Sequence, residues 1–171
     1  MTTASTDPIN IGLVGLGTVG AGTVNVLRRN QVEISRRAGR EIRIRSAAVR
    51  DLKVPRDCVV DDLTLTSNPF DVTDDPEISL VVELVGGCHI AREVVLRSLQ
   101  QGKHVVTANK ALIALHGNDI FQAAHERGLM VAFEAAVAGG ISIIKVIREG
   151  LSGNRIDRIV GIINGTSNYI L

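Results

Sequence analysis

The chain has 171 residues, of which 45% are hydrophobic and 22% are charged, which excludes intrinsic disorder and fits one globular domain or a domain and part of another. Nineteen Lys and Arg balance eighteen Asp and Glu, so no global field attracts nucleic acid or an anionic membrane. The only aromatic residues are three Phe and one Tyr, too few for the stacking surfaces that bind single-stranded nucleic acid. We therefore expect neither nucleic acid nor a membrane as a partner.

The first half of the chain alternates short apolar runs with a helical pattern, which is typical of βαβ units and a parallel sheet. A strand is predicted over residues 9–14, followed by a turn and a helix over residues 17–29. Alternation with a period of two predicts a second strand over residues 41–49, and an edge strand is predicted around residues 63–66. The helix is expected to turn three apolar side chains inward, Val19, Val26 and Leu27.

The second half repeats this alternation. An apolar run over residues 78–85 predicts a strand that helices cover on both faces. A helix over residues 90–101, a strand over 104–107, a helix over 118–127 capped by Asn118 and a strand over 129–134 follow. The first of these helices is expected to bury Ala91, Val94, Val95, Ser98 and Leu99. Five or six parallel strands in this order predict an α/β fold, a doubly wound parallel sheet of the Rossmann type.

Residues 138–140, Ala-Gly-Gly, are predicted to form a hinge out of this sheet. A helix over residues 142–151 and a strand over 156–163 are predicted beyond it. Because a lone helix and strand cannot bury their own apolar faces, we interpret them as the first helix and strand of a second, α+β domain. The predicted division is therefore 1–138 for the sheet domain and 139–171 for the hinge and the incomplete second domain.

The sequence Gly15-Leu16-Gly17-Thr18-Val19-Gly20 lies between the first predicted strand and the first predicted helix. In this context the glycines permit a tight turn, close approach of a pyrophosphate to the backbone and close helix packing, while the helix N-terminus offers unpaired N–H groups. The motif predicts a dinucleotide-binding loop. The alternative is a glycine-rich turn without a ligand.

The end of the second strand carries Arg50, with Asp51 and Lys53 following. A guanidinium grips a phosphate through two charge-assisted hydrogen bonds, so Arg50 and Lys53 favour NADP, whereas Asp51 keeps NAD possible. The alternative is a solvated surface arginine. Residues 28–56 hold ten Lys or Arg against three acids, but without interleaved aromatic residues a solvated face explains this better than a nucleic-acid surface.

Cys88 and His89 follow the strand over 78–85, where a thiol nucleophile is conceivable, although a buried thiol is the commoner fate of a cysteine. Cys58 and Cys88 lack CxxC spacing, which suits a reducing compartment, so we expect a cytoplasmic protein. Residues 9–27 carry no charge, but five glycines dilute their hydrophobicity, so no membrane span is expected there.

Residues 102–110 contain the strand predicted over 104–107. Asn109 and Lys110 lie side by side just after the end of this strand. A lysine at this edge of the sheet can hold a cofactor or substrate oxygen and stabilise charge at a carbonyl, as hydride transfer requires. The alternative is a surface lysine.

Five stretches of the sequence indicate a family when they are taken together. In chain order they are residues 11–20 (IGLVGLGTVG), 81–87 (VVELVGG), 102–112 (GKHVVTANKAL), 133–140 (FEAAVAGG) and 161–171 (GIINGTSNYIL). Taken together they resemble homoserine dehydrogenase over essentially the whole chain. The resemblance implies NAD(P)-dependent interconversion of L-homoserine and L-aspartate 4-semialdehyde in the biosynthesis of threonine, methionine and isoleucine, by a homodimer.

The resemblance also implies roles for individual residues. Residues 15–20 would hold the pyrophosphate, Arg50 with Lys53 the ribose phosphate, and Gly86, Thr107 and Lys110 the rest of the cofactor, with Lys110 also catalytic. A monovalent cation, sodium, would be bound by oxygens of Glu134, Val137, Gly139 and Ile141, and Gly165 and Thr166 would touch the substrate. The family's other substrate carboxylates and its proton-handling lysine would come later, so we expect this chain to bind NADP(H) but to turn over poorly or not at all.

Two other functions stay open from the residues alone. One is a semialdehyde dehydrogenase that uses Cys88 as its nucleophile. The other is a non-catalytic nucleotide-sensing module, which would be complete without further chain, whereas the enzyme part would expose an unfinished apolar face.

Overall fold

A computed structural model describes residues 7–161, and strands and helices alternate through most of this range. In chain order the strands are β1 (Ile9–Val14), β2 (Ile42–Ala48), β3 (Thr64–Thr66), β4 (Leu80–Glu83), β5 (His104–Thr107) and β6 (Val131–Ala132). The helices are α1 (Thr18–Arg29), α2 (Gln31–Ala38), α3 (Pro69–Asp74), α4 (His89–Gln100), α5 (Lys110–His125) and α6 (Ile143–Lys145), which continues into a π-helical turn, Val146–Gly150.

All six strands of this described region form one parallel sheet in the order β3-β2-β1-β4-β5-β6. The strand order reverses at β1, which pairs with β2 on one side and with β4 on the other. In an open parallel sheet such a reversal leaves a crevice at the carboxyl ends of the strands. The crevice here lies beyond Val14 and Glu83.

The two faces of β1 carry two parts of the core. Leu13 packs with Val24 of α1 on one face, and Val14 packs with Val72 of α3 and Val94 of α4 on the other. All five side chains are at most 1% exposed. Helices therefore cover both faces of the sheet, which confirms the predicted doubly wound Rossmann-type fold.

Helix α1 lies where it was predicted but turns a different face inward. Val19 and Val26 are 59% and 44% exposed, so their predicted burial is wrong, whereas Leu27 packs against the core. The physical reason is Gly20, because a Cβ there would lie 2.4 Å from the carbonyl oxygen of Gly15. This contact sets the buried face of the helix at Gly20, Ala21 and Val24.

Helix α5 begins eight residues earlier than predicted. Its N-cap is Asn109, whose side-chain oxygen accepts a hydrogen bond from the N–H of Leu112 at 3.1 Å. Asn118 lies inside the helix, so the prediction that it caps the helix is wrong. A helical spacing of Leu112, Ile120 and Ala124 on the buried side explains why the helix extends this far back.

Helices α2 and α3 were not predicted. Helix α3 begins with Pro69 after Asn68, whose side chain accepts a bond from the N–H of Phe70, an arrangement suited to a helix start. Val72 of α3 approaches β1 so closely that a Cβ on Gly12 would lie 2.3 Å from it. The glycine inside β1 therefore marks the place where α3 crosses the sheet.

The chain after residue 140 is helical over Ile143–Lys145 and Val146–Gly150 and buries none of its residues fully. Residues 156–161 have no regular structure and are exposed, so the strand predicted over 156–163 is not formed there, and its last two residues lie outside the described range. A strand needs a hydrogen-bonded neighbour, and no described strand pairs with this segment. The predicted domain division stays a prediction.

Within residues 7–161, no helix is both long and apolar enough to cross a bilayer.

Candidate functional site

A cavity of about 760 Å³ lies at the carboxyl edge of the sheet, where the strand order reverses. It is bounded by four segments, namely the glycine loop after β1, the loop after β2, Ser67 and Pro69 after β3, and the segment after β4. Its lining residues include Gly15, Leu16, Gly17, Arg50, Asp51, Val54, Arg56, Leu84, Val85, Gly86 and Ile90. The fold thus brings together five of the predicted site residues, Gly15, Leu16, Gly17, Arg50 and Gly86.

The three glycines of the loop have different environments. Gly15 has a φ of +103°, and a Cβ there would lie 2.8 Å from the backbone of Leu84. Gly20 lies against Gly15, as described above. A Cβ on Gly17, in contrast, would meet no atom within 4 Å. Gly15 and Gly20 therefore permit the turn and the packing of α1, while Gly17 leaves open space beside the cavity for a ligand.

The N-terminus of α1 has no side-chain cap, because Gly17 occupies the N-cap position. The first hydrogen bond of the helix runs from the N–H of Ala21 to the carbonyl of Gly17 at 2.8 Å. The preceding amides, those of Thr18, Val19 and Gly20, have no partner within the helix. Such amides and the helix dipole favour a bound phosphate.

Arg50 lies two residues beyond the end of β2 and is exposed. Among the described residues it forms no ion pair and no side-chain hydrogen bond. Asp51 instead uses its carboxylate locally, since one oxygen accepts a bond from the N–H of Lys53 at 2.8 Å. Lys53 is exposed and does not belong to the lining of the cavity. The loop therefore leaves one guanidinium available at the cavity.

Arg56 is a residue of this site that the sequence analysis did not single out. Its guanidinium donates to the carbonyl of Leu16 at 3.2 Å and to the carbonyl of Asp51. Arg56 thereby joins the glycine loop to the loop after β2 and also lines the cavity. Its only signal in the sequence is a positive charge in an irregular segment.

Glu83, the last residue of β4, is fully buried. One of its carboxylate oxygens accepts a bond from the N–H of Val85 at 2.8 Å, and the other accepts one from the hydroxyl of Thr107 at 2.5 Å. Burial raises the pKa of Glu83, and these hydrogen bonds oppose part of that rise. A buried carboxylate thus ties the ends of two adjacent strands together.

Thr107 lies beside this carboxylate, and neither Thr107 nor Lys110 belongs to the lining of the cavity. Thr107 is fully buried, and its hydroxyl also accepts a bond from the N–H of Asn109 at 3.0 Å. A contact of this hydroxyl with a cofactor would require that network to open. Lys110 is exposed at the first position of α5, so its side chain is accessible from solvent at the carboxyl edge of the sheet.

The predicted cation ligands lie in the hinge. Both oxygens of the Glu134 carboxylate accept backbone N–H groups, from Ile144 at 3.0 Å and Lys145 at 2.8 Å. Ala138 and Gly139 have φ values of 53° and 60°, and a positive φ in a non-glycine residue marks strain. The carbonyls of Val137 and Gly139 accept no backbone hydrogen bond from the described residues. These two oxygens fit a hard cation, while the Glu134 carboxylate is already engaged.

The remaining predicted residues are the two substrate contacts and the candidate thiol nucleophile. Gly165 and Thr166 lie outside the described residues. Cys88 occupies the N-cap position of α4 and is partly buried. The adjacent His89 is 93% exposed and pairs with Glu93 at 3.3 Å, so it does not activate the thiol.

A second cavity, of about 590 Å³, lies between α5 and β6 and is lined mainly by apolar side chains such as Phe121, Leu129 and Phe133. It contains none of the predicted cofactor residues. The cavity at the strand-order reversal is therefore the candidate site.

The fold is that of a Rossmann-type α/β protein, and the cavity is its candidate dinucleotide site. A family profile described as "Homoserine dehydrogenase, NAD binding domain" matches residues 15–134, and a second one, described as "Homoserine dehydrogenase", matches residues 142–171. The chain belongs to the homoserine dehydrogenase family, and a nicotinamide cofactor follows from the first match.

Individual relatives agree with this membership. A homoserine dehydrogenase from Pseudomonas aeruginosa is 58% identical over 96% of this chain, and one from Neisseria gonorrhoeae is 53% identical over 96%. A crystal structure of a homoserine dehydrogenase from Thiobacillus denitrificans is similar with a TM-score of 0.86 and 61% identity, over 96% of this chain and 38% of that one. This chain spans 37% and 38% of the lengths of the two curated relatives.

Proposed function

We propose that this chain is the cofactor-binding part of an NADP-dependent enzyme that interconverts L-homoserine and L-aspartate 4-semialdehyde by hydride transfer. The observation that carries the proposal is the cavity at the strand-order reversal, which Gly17 leaves open and Arg50 lines. The name of the relatives, homoserine dehydrogenase, supplies the alcohol substrate, and oxidation of its hydroxyl gives the semialdehyde. A small-molecule substrate, a cytoplasmic location and a homodimer belong to the same proposal.

The N-terminus of α1 binds the pyrophosphate in this proposal. The amides of Thr18, Val19 and Gly20 have no partner in the helix, so an anion that binds them replaces water and breaks no hydrogen bond of the helix. Leu16 and Gly86 form parts of the cavity wall. The bound cofactor supplies the hydride chemistry.

Arg50 favours NADP over NAD. Its guanidinium is not used by the described part of the protein, whereas the carboxylate of Asp51 is held by the N–H of Lys53. A ribose hydroxyl would compete with that internal bond, while a ribose phosphate meets a free cation. Lys53, being exposed nearby, adds positive charge without a defined contact.

Lys110 is the proposed catalytic residue. Its ammonium lies at the start of α5, and Asn109 fixes that start. A cation there stabilises the negative charge that develops on the substrate oxygen as the aldehyde is reduced. Substrate contacts by Gly165 and Thr166 remain part of the proposal.

A monovalent cation, sodium, is proposed at the hinge. The free carbonyls of Val137 and Gly139 support it, as does the positive φ of Ala138. Glu134 and Ile141 complete the proposed ligand set, and for this the Glu134 carboxylate would have to share its bonds from Ile144 and Lys145, and the Ile141 carbonyl its bond from Ile143. Hard cations take such carbonyl and carboxylate ligands.

The test is a fluorescence titration of the chain with NADPH and with NADH. Arg50→Ala is expected to weaken NADPH binding roughly tenfold, as loss of a hydrogen bond to a charged group does, and to leave NADH binding unchanged. Arg43→Ala is the matched control, because Arg43 lies on β2, which ends two residues before Arg50, but pairs with Glu41. Equal effects of both substitutions, or no binding by the unsubstituted chain, would contradict the proposal.

A further inference from the structure

The Glu83 carboxylate begins a chain of hydrogen bonds at the carboxyl edge of the sheet. Its oxygens bind the N–H of Val85 and the hydroxyl of Thr107. The Thr107 hydroxyl accepts from the N–H of Asn109, and the Asn109 side chain donates to the carbonyls of Val85 at 3.2 Å and of Gly87 at 2.6 Å. The chain of bonds thus closes on the segment that follows Glu83.

Val85 is the residue that this network fixes most completely. Its N–H is held by Glu83 and its carbonyl by Asn109, so both of its polar backbone groups have a partner within the network. Leu84, Val85 and Gly86 line the cavity, and the Leu84 backbone also contacts the turn at Gly15. The network therefore sets the position of one wall of the cavity.

The same network holds the start of α5. The Asn109 side-chain oxygen caps the helix through the N–H of Leu112, and Lys110 comes next in the chain. The buried carboxylate is in this way connected both to the cavity wall and to the proposed catalytic lysine, although it touches neither the open cavity nor Lys110.

We propose that Glu83 is a positioning residue for the dinucleotide site, which holds the wall formed by Leu84, Val85 and Gly86 against the start of α5. This inference rests on the proposed function, because the site that Glu83 serves is the proposed cofactor site. The carboxyl group suits the role, since one oxygen accepts the bond from Val85 and the other the bond from Thr107. A glutamine has only one acceptor oxygen, so it can keep the bond from Val85 only if the Thr107 hydroxyl turns from donor to acceptor.

The experiment compares NADPH dissociation constants of the chain and its variants at a temperature where each is folded, as circular dichroism verifies. Glu83→Gln is expected to weaken NADPH binding about tenfold, the size expected when a hydrogen bond to a charged group is lost. The matched control is Lys103→Met. Lys103 is also a buried charge on the β4–β5 pair, but it donates to the carbonyls of Asp75 and Ile78 at the opposite edge.

The control separates positioning from stability. Lys103→Met is expected to lower the free energy of unfolding and leave the dissociation constant of the folded protein within about twofold, because no bond of Lys103 leads to the cavity. If Lys103→Met weakens binding as much as Glu83→Gln does, the effect of Glu83 is only structural and the proposal is overturned.

A second variant covers failure of Glu83→Gln to fold. Asn109→Ser keeps an oxygen that caps α5 but removes the donors to Val85 and Gly87, and it is expected to weaken NADPH binding at least threefold, as loss of a neutral hydrogen bond does. Unchanged NADPH binding in either folded variant would overturn the role of Glu83 and leave the proposed function standing. An unsubstituted chain that binds no NADPH would overturn the proposed function itself.

Discussion

The β4–β5 pair buries one charge at each end, and the two ends differ in what those charges hold. At the amino end, Lys103 is 3% exposed and its ammonium donates to two main-chain carbonyls at 2.6 Å and 2.7 Å. At the carboxyl end, Glu83 binds a main-chain amide and the Thr107 hydroxyl. The bonds of Lys103 end within the packed edge, whereas those of Glu83 continue to the cavity wall.

Burial of a charge therefore does not by itself indicate a functional residue. Both groups have shifted pKa values, since burial lowers the pKa of Lys103 and raises the pKa of Glu83. Only the path of the hydrogen bonds separates a structural role from a positioning role. Three experiments test this difference between the two edges.

The largest effect is expected at the carboxyl edge, from Gly20→Ala. The new Cβ would lie 2.4 Å from the carbonyl oxygen of Gly15, so α1 must move, and we expect the free energy of unfolding to fall by about 3 kcal/mol and NADPH binding to be lost. Gly22→Ala is the control, because nothing lies within 4 Å of a Cβ there and alanine favours a helix by about 1 kcal/mol. Urea unfolding of both variants checks this, and equal stabilities would refute it.

A substitution at the amino edge should lower the stability of the protein without changing its affinity for NADPH. In Lys103→Met the carbonyl of Ile78 loses its charged donor, and we expect unfolding in urea to require about 2 kcal/mol less. The affinity for NADPH should not change, which is the contrast with Gly20→Ala. A large loss of NADPH affinity in folded Lys103→Met would erase the difference between the edges.

The smallest effect concerns pH. Because the pKa of Glu83 is raised in the folded state, the folded protein binds this proton more tightly than the unfolded chain does. The contribution of Glu83 to stability is therefore full below its unfolded pKa and declines as pH rises through its folded pKa. Unfolding at several pH values should show wild type losing stability relative to Glu83→Gln over this interval, and parallel curves would contradict the shift.

Sequence patterns predicted most of the sheet and one helix face in detail. The buried face of α4, Ala91, Val94, Val95, Ser98 and Leu99, is as predicted, because a long helix with a single apolar stripe leaves few alternatives. The prediction of the buried face of α1 was wrong. The rotation of this helix is set by the approach of Gly20 to Gly15, and hydrophobic periodicity carries no information about such a contact between backbones. The predicted start of α5 was wrong because Asn109 was assigned to the end of the preceding strand and not to the N-cap of the helix.

The site was predictable in part for the same reason. Gly15, Gly17 and Arg50 belong to local motifs whose position next to a strand is readable from the chain, and the fold brings them to one cavity. Arg56 and Glu83 were missed as site residues, since their partners lie 40 and 24 residues away, at Leu16 and Thr107. Such pairs exist only once the sheet has formed.

Arg56 also affects the kinetics with which a ligand binds. The guanidinium already joins the loop after β1 to the loop after β2. The conformational entropy of these loops is therefore lost when the protein folds and not when a ligand binds. A dinucleotide therefore meets a preorganised receptor. Its association with the chain should proceed in a single kinetic phase, without a slow closing step.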